Sequence, residues 1–218
     1  MKERMDQLDY FKDHQGHIFG HLQISSGRPG PQILVIGGTH GDEPCGVKAI
    51  FQWHQHLREN SLLQRGELHL LLGNPEAYAR DLRYVDHDLN RSFHRYLLRI
   101  NQDNNLESAR AREINGLLQQ FTELDAVLDL HSVSKGDSQM LVYNRRQKEI
   151  FDFVARLTPM TVHFNYDDTD IHGLLIDHCK RLSQKSFAIE CGNHLDSYAH
   201  EVASYHSYRL LYLHGMLE

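Results

Sequence analysis

Short apolar runs closed by glycine, proline or asparagine alternate along this chain with stretches whose apolar residues return every three or four positions. The first pattern reads as buried strand and the second as amphipathic helix. Ile33-Leu34-Val35-Ile36 is the clearest strand. A turn cluster over residues 25–31 leads into it, and residues 16–24 form a candidate edge strand before that. Gly37-Gly38 ends the run, because two glycines let the backbone turn sharply. Pro44 then stands where a helix can begin without losing a hydrogen bond. Val47, Ile50, Phe51, His54 and Leu57 form a stripe that runs out near Asn60. Residues 67–72 make a second buried strand, closed by Gly73-Asn74-Pro75.

Residues 74–93 are charged and turn-rich with no clean period, which predicts a long functional loop holding a short helix. A helix is expected over 106–121, with Ile114, Leu117, Leu118 and Phe121 on one face. A third strand covers 126–130 and leaves His131 at its end. Beyond it come a strand at 140–143, a helix with Ile150, Phe151, Val154 and Leu157 inward, and a strand at 161–164. A helix over 173–182 and a buried strand over 186–189 follow. A last helix spans 197–217, with Tyr198, Val202, Tyr205, Tyr212 and Leu213 facing the core. This alternation predicts an α/β fold: one domain over 1–218, with a mostly parallel mixed sheet flanked by helices.

Composition narrows the partners. A chain of 218 residues with 40% hydrophobic and 24% charged residues suits one soluble globular core. A net charge of −6 gives no basic excess for nucleic acid. No stretch approaches the ~18 apolar residues of a membrane span, and the polar start lacks the apolar centre of a secretory signal. Cys45, Cys179 and Cys191 are odd in number and lack CxxC spacing, so the expected compartment is the cytoplasm, without a disulfide framework. With 17 histidines present, any one histidine pattern needs partners before it means anything.

Partners are found. His40 and Glu43 flank the first strand end, where open α/β sheets place ligands. Zinc takes imidazole nitrogen and carboxylate oxygen, and a catalytic zinc keeps three protein ligands plus a water. Alone, the pair more readily describes a loop histidine beside a helix-start carboxylate favoured by the dipole. His131 and Glu190 stand at two further strand ends, which makes the coincidence harder to dismiss. A glutamate that does not bind the metal can take the proton from the water. Arg83, Asp88, Asn90 and Arg91 in the long loop supply donors suited to a carboxylate. The competing reading of that loop is a solvated charge run, and it is the preferred one for Arg95 and Arg99.

Gly38-Thr39-His40-Gly41-Asp42-Glu43, Asn74-Pro75 with Asp88-Leu89-Asn90-Arg91, Asp129-Leu130-His131-Ser132, and Ala188-Ile189-Glu190-Cys191-Gly192 follow one another in a set order. In this the chain resembles the succinylglutamate desuccinylase/aspartoacylase family, within the wider zinc carboxypeptidase (M14-like) group. The resemblance runs from about Gln32 onward and implies a zinc carboxypeptidase-like fold holding one Zn2+ per chain. It implies His40, Glu43 and His131 as metal ligands and Glu190 as general base and then acid. Arg83 would polarise the scissile carbonyl, Asn90 and Arg91 would clamp a carboxylate, and Asp88 would orient a zinc-bound histidine. There are two departures. The family's C-terminal β-rich domain would start about where this sequence ends, and Lys180 and Arg181 only flank the position of an arginine some relatives carry.

The implied function is deacylation of an N-acyl amino acid by a cytoplasmic zinc-dependent amidohydrolase. Its partner is that small molecule or a short peptide, with no nucleic acid and no membrane; an oligomer is compatible. The alternatives are a metallocarboxypeptidase or peptidoglycan-peptide amidase, and, outside enzymes, a zinc- and carboxylate-binding module.

Overall fold

Each buried strand sends alternate side chains into two different apolar layers, and this explains why the strands read as unbroken apolar runs. In the computed structural model, which describes residues 2–94, 98, 105–144, 150–158, 162–166 and 173–218, β1 is His21–Ser25, β2 Gln32–Gly37, β3 Glu67–Leu72 and β4 Ala126–Val133. β5 is Gln139–Asn144, β6 Val162–Tyr166 and β7 Ser186–Asn193. Ile33, Val35, Leu68, Leu70, Leu128 and Leu130 enter one core layer, while Leu34, Ile36, Leu71 and Val127 enter the other.

Among the described residues the strands form one seven-stranded sheet in the order β1-β3-β2-β4-β7-β5-β6. The β3–β2, β2–β4, β4–β7 and β5–β6 pairings are parallel, and β1–β3 and β5–β7 are antiparallel. The expected α/β fold with a mostly parallel mixed sheet is therefore present. One face carries α1 (Lys2–Asp13), α2 (Pro44–Asn60), α5 (Ile150–Leu157) and α7 (Ala199–Leu213). The opposite face carries α4 (Leu106–Leu118) and the short α6 (Leu175–Cys179). α3 (Pro75–Arg80) and a 3-10 turn at Leu89–Arg91 lie within the long loop, as its turn-rich composition predicts.

Several expectations need correction. α1 has no predicted counterpart: only Gln7 and Phe11 are buried on it, so it lacks an apolar stripe. The edge strand begins at His21 rather than at residue 16, and the helix expected over 173–182 forms only at Leu175–Cys179. On α5, Phe151 is 51% exposed and Phe153 takes the inward place. On α7 the predicted face is out of phase. Tyr198, Tyr205 and Tyr212 are exposed, and the core face is Ala199, Ala203, His206, Ser207, Leu210 and Leu211. Small residues let α7 lie close against its neighbours, and the larger aromatics are turned outward. Val202 and Leu213 do pack against the core as expected. Thr161 and the arginines Arg95 and Arg99 lie outside the described residues.

His21, His54, His69 and His206 are buried, and burial lowers their pKa values to about 3, 4, 4 and 4. These groups bind protons in the unfolded chain, near the ordinary 6.5, before they do so in the fold. Their contribution to stability is complete above about pH 6.5 and is lost as the pH falls toward about 4. The loss reaches about 1.4 kcal/mol per pH unit for each such histidine. Urea unfolding from pH 7 to 5 should show falling stability, and His206→Leu should make that fall shallower; an unchanged slope would remove His206 from the account.

Candidate active site

β2 delivers the first two site residues through a turn built on close backbone approach. Gly38 adopts a φ of +69°, open to a residue without Cβ. A Cβ on Gly41 would overlap the backbone of Ala77 and Tyr78 at the end of α3's first turn. Gly41 N–H donates to the Arg83 carbonyl (3.2 Å), and Arg4 of α1 donates to the carbonyls of Gly41 (2.6 Å) and Tyr78 (2.9 Å). The turn carrying His40 and Glu43 is thus clamped from two sides before α2 begins.

Glu43, His40 and His131 are almost wholly buried and converge. Glu43 Oε1 lies 2.9 Å from His40 Nδ1 and accepts from Arg83 Nη1 at 3.1 Å. Its Oε2 lies 2.9 Å from His131 Nδ1 and accepts from the Ser132 backbone N–H at 3.1 Å. Behind each imidazole stands another carboxylate. His40 Nε2 is 3.1 Å from Asp88 Oδ1, and His131 Nε2 is 2.9 Å from Asp129 Oδ2. Thr39 Oγ1 donates to the other Asp129 oxygen at 2.8 Å. With a metal held by Nδ1, carboxylates in this place would keep the proton on Nε2 and orient each ring.

These contacts set the charges. Burial alone would lower the His40 and His131 pKa values, yet the carboxylates on either side hold both above the ordinary imidazole range. Burial works upward on Glu43, and His131 and His40 outweigh it, so Glu43 is held well below the carboxylate range. Asp88 is held at about 2: burial opposes this, and the His40 hydrogen bond overcomes it. Glu190 goes the other way, raised first by burial and further by Glu43 and Asp129.

His131 and Glu190 occupy paired positions on β4 and β7. Both lie inside their strands rather than just after them, a small correction to the expectation. Glu190 Oε2 is buried and has no hydrogen-bond partner among the described residues. Asn90 reaches the cluster through its backbone N–H, which donates to Asp88 Oδ1 at 2.8 Å; its side-chain oxygen accepts from Leu175 N–H at 3.0 Å. Arg91 is exposed, and its guanidinium donates to the Asn90 carbonyl at 2.8 Å. The structure therefore brings together His40, Glu43, His131, Arg83 and Asp88, with Glu190 beside His131, and leaves the Arg91 side chain out.

The donor set suits zinc. One nitrogen from each histidine and one Glu43 oxygen lie within 4.8 Å of one another, and two histidines plus a glutamate is a zinc ligand set that leaves a fourth position open. Asp129 and Thr39 belong to the site although the sequence reading gave them no role. Asp129 was legible in principle, since residues two apart on a strand share a face.

The sequence profile of the succinylglutamate desuccinylase/aspartoacylase catalytic domain matches residues 29–210. The chain belongs to this family. A probable aspartoacylase of Prochlorococcus marinus (strain MIT 9313) is 32% identical over 153 residues, covering 68% of this chain and 50% of the relative. An N-acyl-aromatic-L-amino acid amidohydrolase (carboxylate-forming) of Xenopus laevis is 31% identical over 179 residues, covering 75% and 56%. A succinylglutamate desuccinylase from Chromobacterium violaceum shares the fold, with a TM-score of 0.73 at 18% identity over 88% of this chain and 64% of that one. Murine aminoacylase 3 superposes with a TM-score of 0.62 at 27% identity, covering 85% and 66%. The chain spans about half the length of the curated family members it matches. Among the described residues no helix is long and apolar enough to cross a membrane.

The clamped turn predicts its own weak point. Gly41→Ala forces backbone against backbone, and overpacking of this kind destabilises by roughly 1–3 kcal/mol. Chemical denaturation should show that loss; wild-type stability would mean that α3 moves aside freely.

Proposed function

We propose that this domain is a zinc-dependent hydrolase that removes the acyl group from an N-acyl amino acid. The observation that carries the reading is the unbonded Glu190 carboxylate oxygen, buried beside a cluster of two histidines and a glutamate. The names of the family members, an aspartoacylase and an N-acyl-aromatic-L-amino acid amidohydrolase, support the substrate class.

His40, Glu43 and His131 would hold one zinc ion per chain, with Asp88 and Asp129 fixing the imidazole tautomers. Zinc at this place supplies a Lewis acid and makes water a nucleophile near neutral pH. Glu190 accepts a proton from the attacking water as the new C–O bond forms. Its raised pKa suits that exchange, because the same group must give the proton back. Arg83, tied to Glu43 and half exposed, offers its remaining N–H groups to the carbonyl oxygen as negative charge grows there. Glu190 then protonates the departing nitrogen. The C–N bond breaks to give an acid and an amine, and the acid's remaining proton passes to the amine, so that a carboxylate and an ammonium group leave. The Asn90 amide nitrogen and the exposed Arg91 guanidinium would grip the α-carboxylate of the amino acid, the arginine by swinging off the Asn90 carbonyl. Three free, buried cysteines suit a reducing cytoplasm as the place of work.

Purified protein should contain about one zinc per chain, and His131→Ala should lose most of it on elemental analysis. Full occupancy in that variant would remove His131 from the site. Glu190→Gln should keep its zinc and release amine at least ~10²-fold more slowly from a panel of N-acyl amino acids. Turnover near wild type would assign the proton to another group, and cleavage of short peptides alone would replace the deacylase reading with a carboxypeptidase.

For the carboxylate grip, Arg91→Lys keeps the charge and loses the two-pronged donor geometry. The specificity constant for the free acid should fall tenfold or more, while that for the corresponding α-amide changes little. Equal cleavage of acid and amide by the wild type would end the clamp assignment.

A further inference from the structure

Glu107 stands in the first turn of α4, where an acidic residue ordinarily does no more than face the positive end of its own helix. Its contacts are of another kind. The side chain is completely buried, and the free backbone N–H of Ser108 in its own helix is taken by Asn105 instead. Both Glu107 oxygens turn outward to the long loop. Oε1 accepts from Val85 N–H at 2.7 Å and from Asn74 Nδ2 at 3.0 Å. Oε2 accepts from the N–H groups of Asp86 at 3.0 Å and His87 at 3.1 Å. Three consecutive backbone donors therefore converge on one carboxylate. The loop returns a bond, since Asp86 Oδ2 accepts from the Leu106 N–H at 2.8 Å.

The residues on either side of this anchor meet the metal cluster. Upstream, Arg83 binds Glu43 through its side chain and Gly41 through its carbonyl. Downstream, Asp88 binds His40 Nε2 and caps the turn carrying Asn90 and Arg91. We propose that Glu107 is a positioning residue for the zinc site: it fixes the middle of the loop, and so sets where Asp88 holds His40 and where Arg83 meets Glu43. This rests on the reading of His40, Glu43 and His131 as zinc ligands. A glutamine cannot replace it, because an amide has one accepting oxygen and would turn an N–H donor toward loop N–H groups. An aspartate keeps the charge and both acceptors on a shorter stem.

The test uses the full chain loaded with zinc. In Glu107→Gln, chelator competition should show zinc held at least about tenfold more weakly, the scale expected when the residue orienting a metal-bound histidine is disturbed. Amide exchange at Val85, Asp86 and His87 should accelerate, with protection in β2 and β4 unchanged. Glu107→Asp should recover part of both losses. Wild-type zinc affinity in Glu107→Gln, or exchange that accelerates equally throughout the sheet, overturns the proposal. If the wild-type chain itself takes up no zinc, the metal reading has failed, and unchanged exchange at 85–87 would then overturn the loop anchor independently.

Discussion

The Glu43 carboxylate, sealed from water between two imidazoles, is the constraint the rest of the site answers to. A buried charge is tolerated only when its hydrogen bonds are made and opposite charge is close. Both Glu43 oxygens are engaged, by His40 and Arg83 on one side and by His131 and the Ser132 N–H on the other. The imidazoles need partners of their own, which Asp88 and Asp129 provide. Asp129 in turn requires Thr39. Satisfying one carboxylate thus recruits the end of β2, the long loop and the end of β4, and this is why these segments must meet at the C-terminal ends of the central strands.

The frame of the fold was legible because a sheet covered on both faces writes itself as continuous apolar runs. β3 lies at the residues the pattern predicts, and β2 and β7 extend theirs by a few positions. What failed were readings that equated size with burial. On α7 the tyrosines are large and face outward, while the contact surface is made by alanine, serine and leucine. α1 escaped notice for a related reason. Its tie to the site is polar, through Arg4 to the carbonyls of Gly41 and Tyr78 and through Gln7 to the Tyr78 hydroxyl. Bonds to backbone carbonyls far along the chain leave no periodic trace.

In the site, legibility followed locality. His40 and Glu43 sit three apart on one turn, and His131 and Glu190 were found by asking what each strand end carries. Asp129 shares a strand face with His131 and was within reach of the same argument. Glu107 was not, because a glutamate in the first turn of a helix looks ordinary until the loop it holds is seen. Arg91 shows the opposite limit: its guanidinium is exposed and donates to the neighbouring Asn90 carbonyl.

The register between β4 and β7 has a consequence for how such a domain can diversify. His131 faces Glu190 across one rung of a parallel ladder. Their separation is governed by the ~4.8 Å interval between neighbouring strands, a length imposed by backbone hydrogen bonding and indifferent to most side chains. The interval between Glu190 and His131 is therefore built into the weave of the sheet. Arg83, Asn90 and Arg91, by contrast, hang on a loop outside that weave. One distance in the site is thus set by the sheet, while the side chains on the loop can be replaced without altering it.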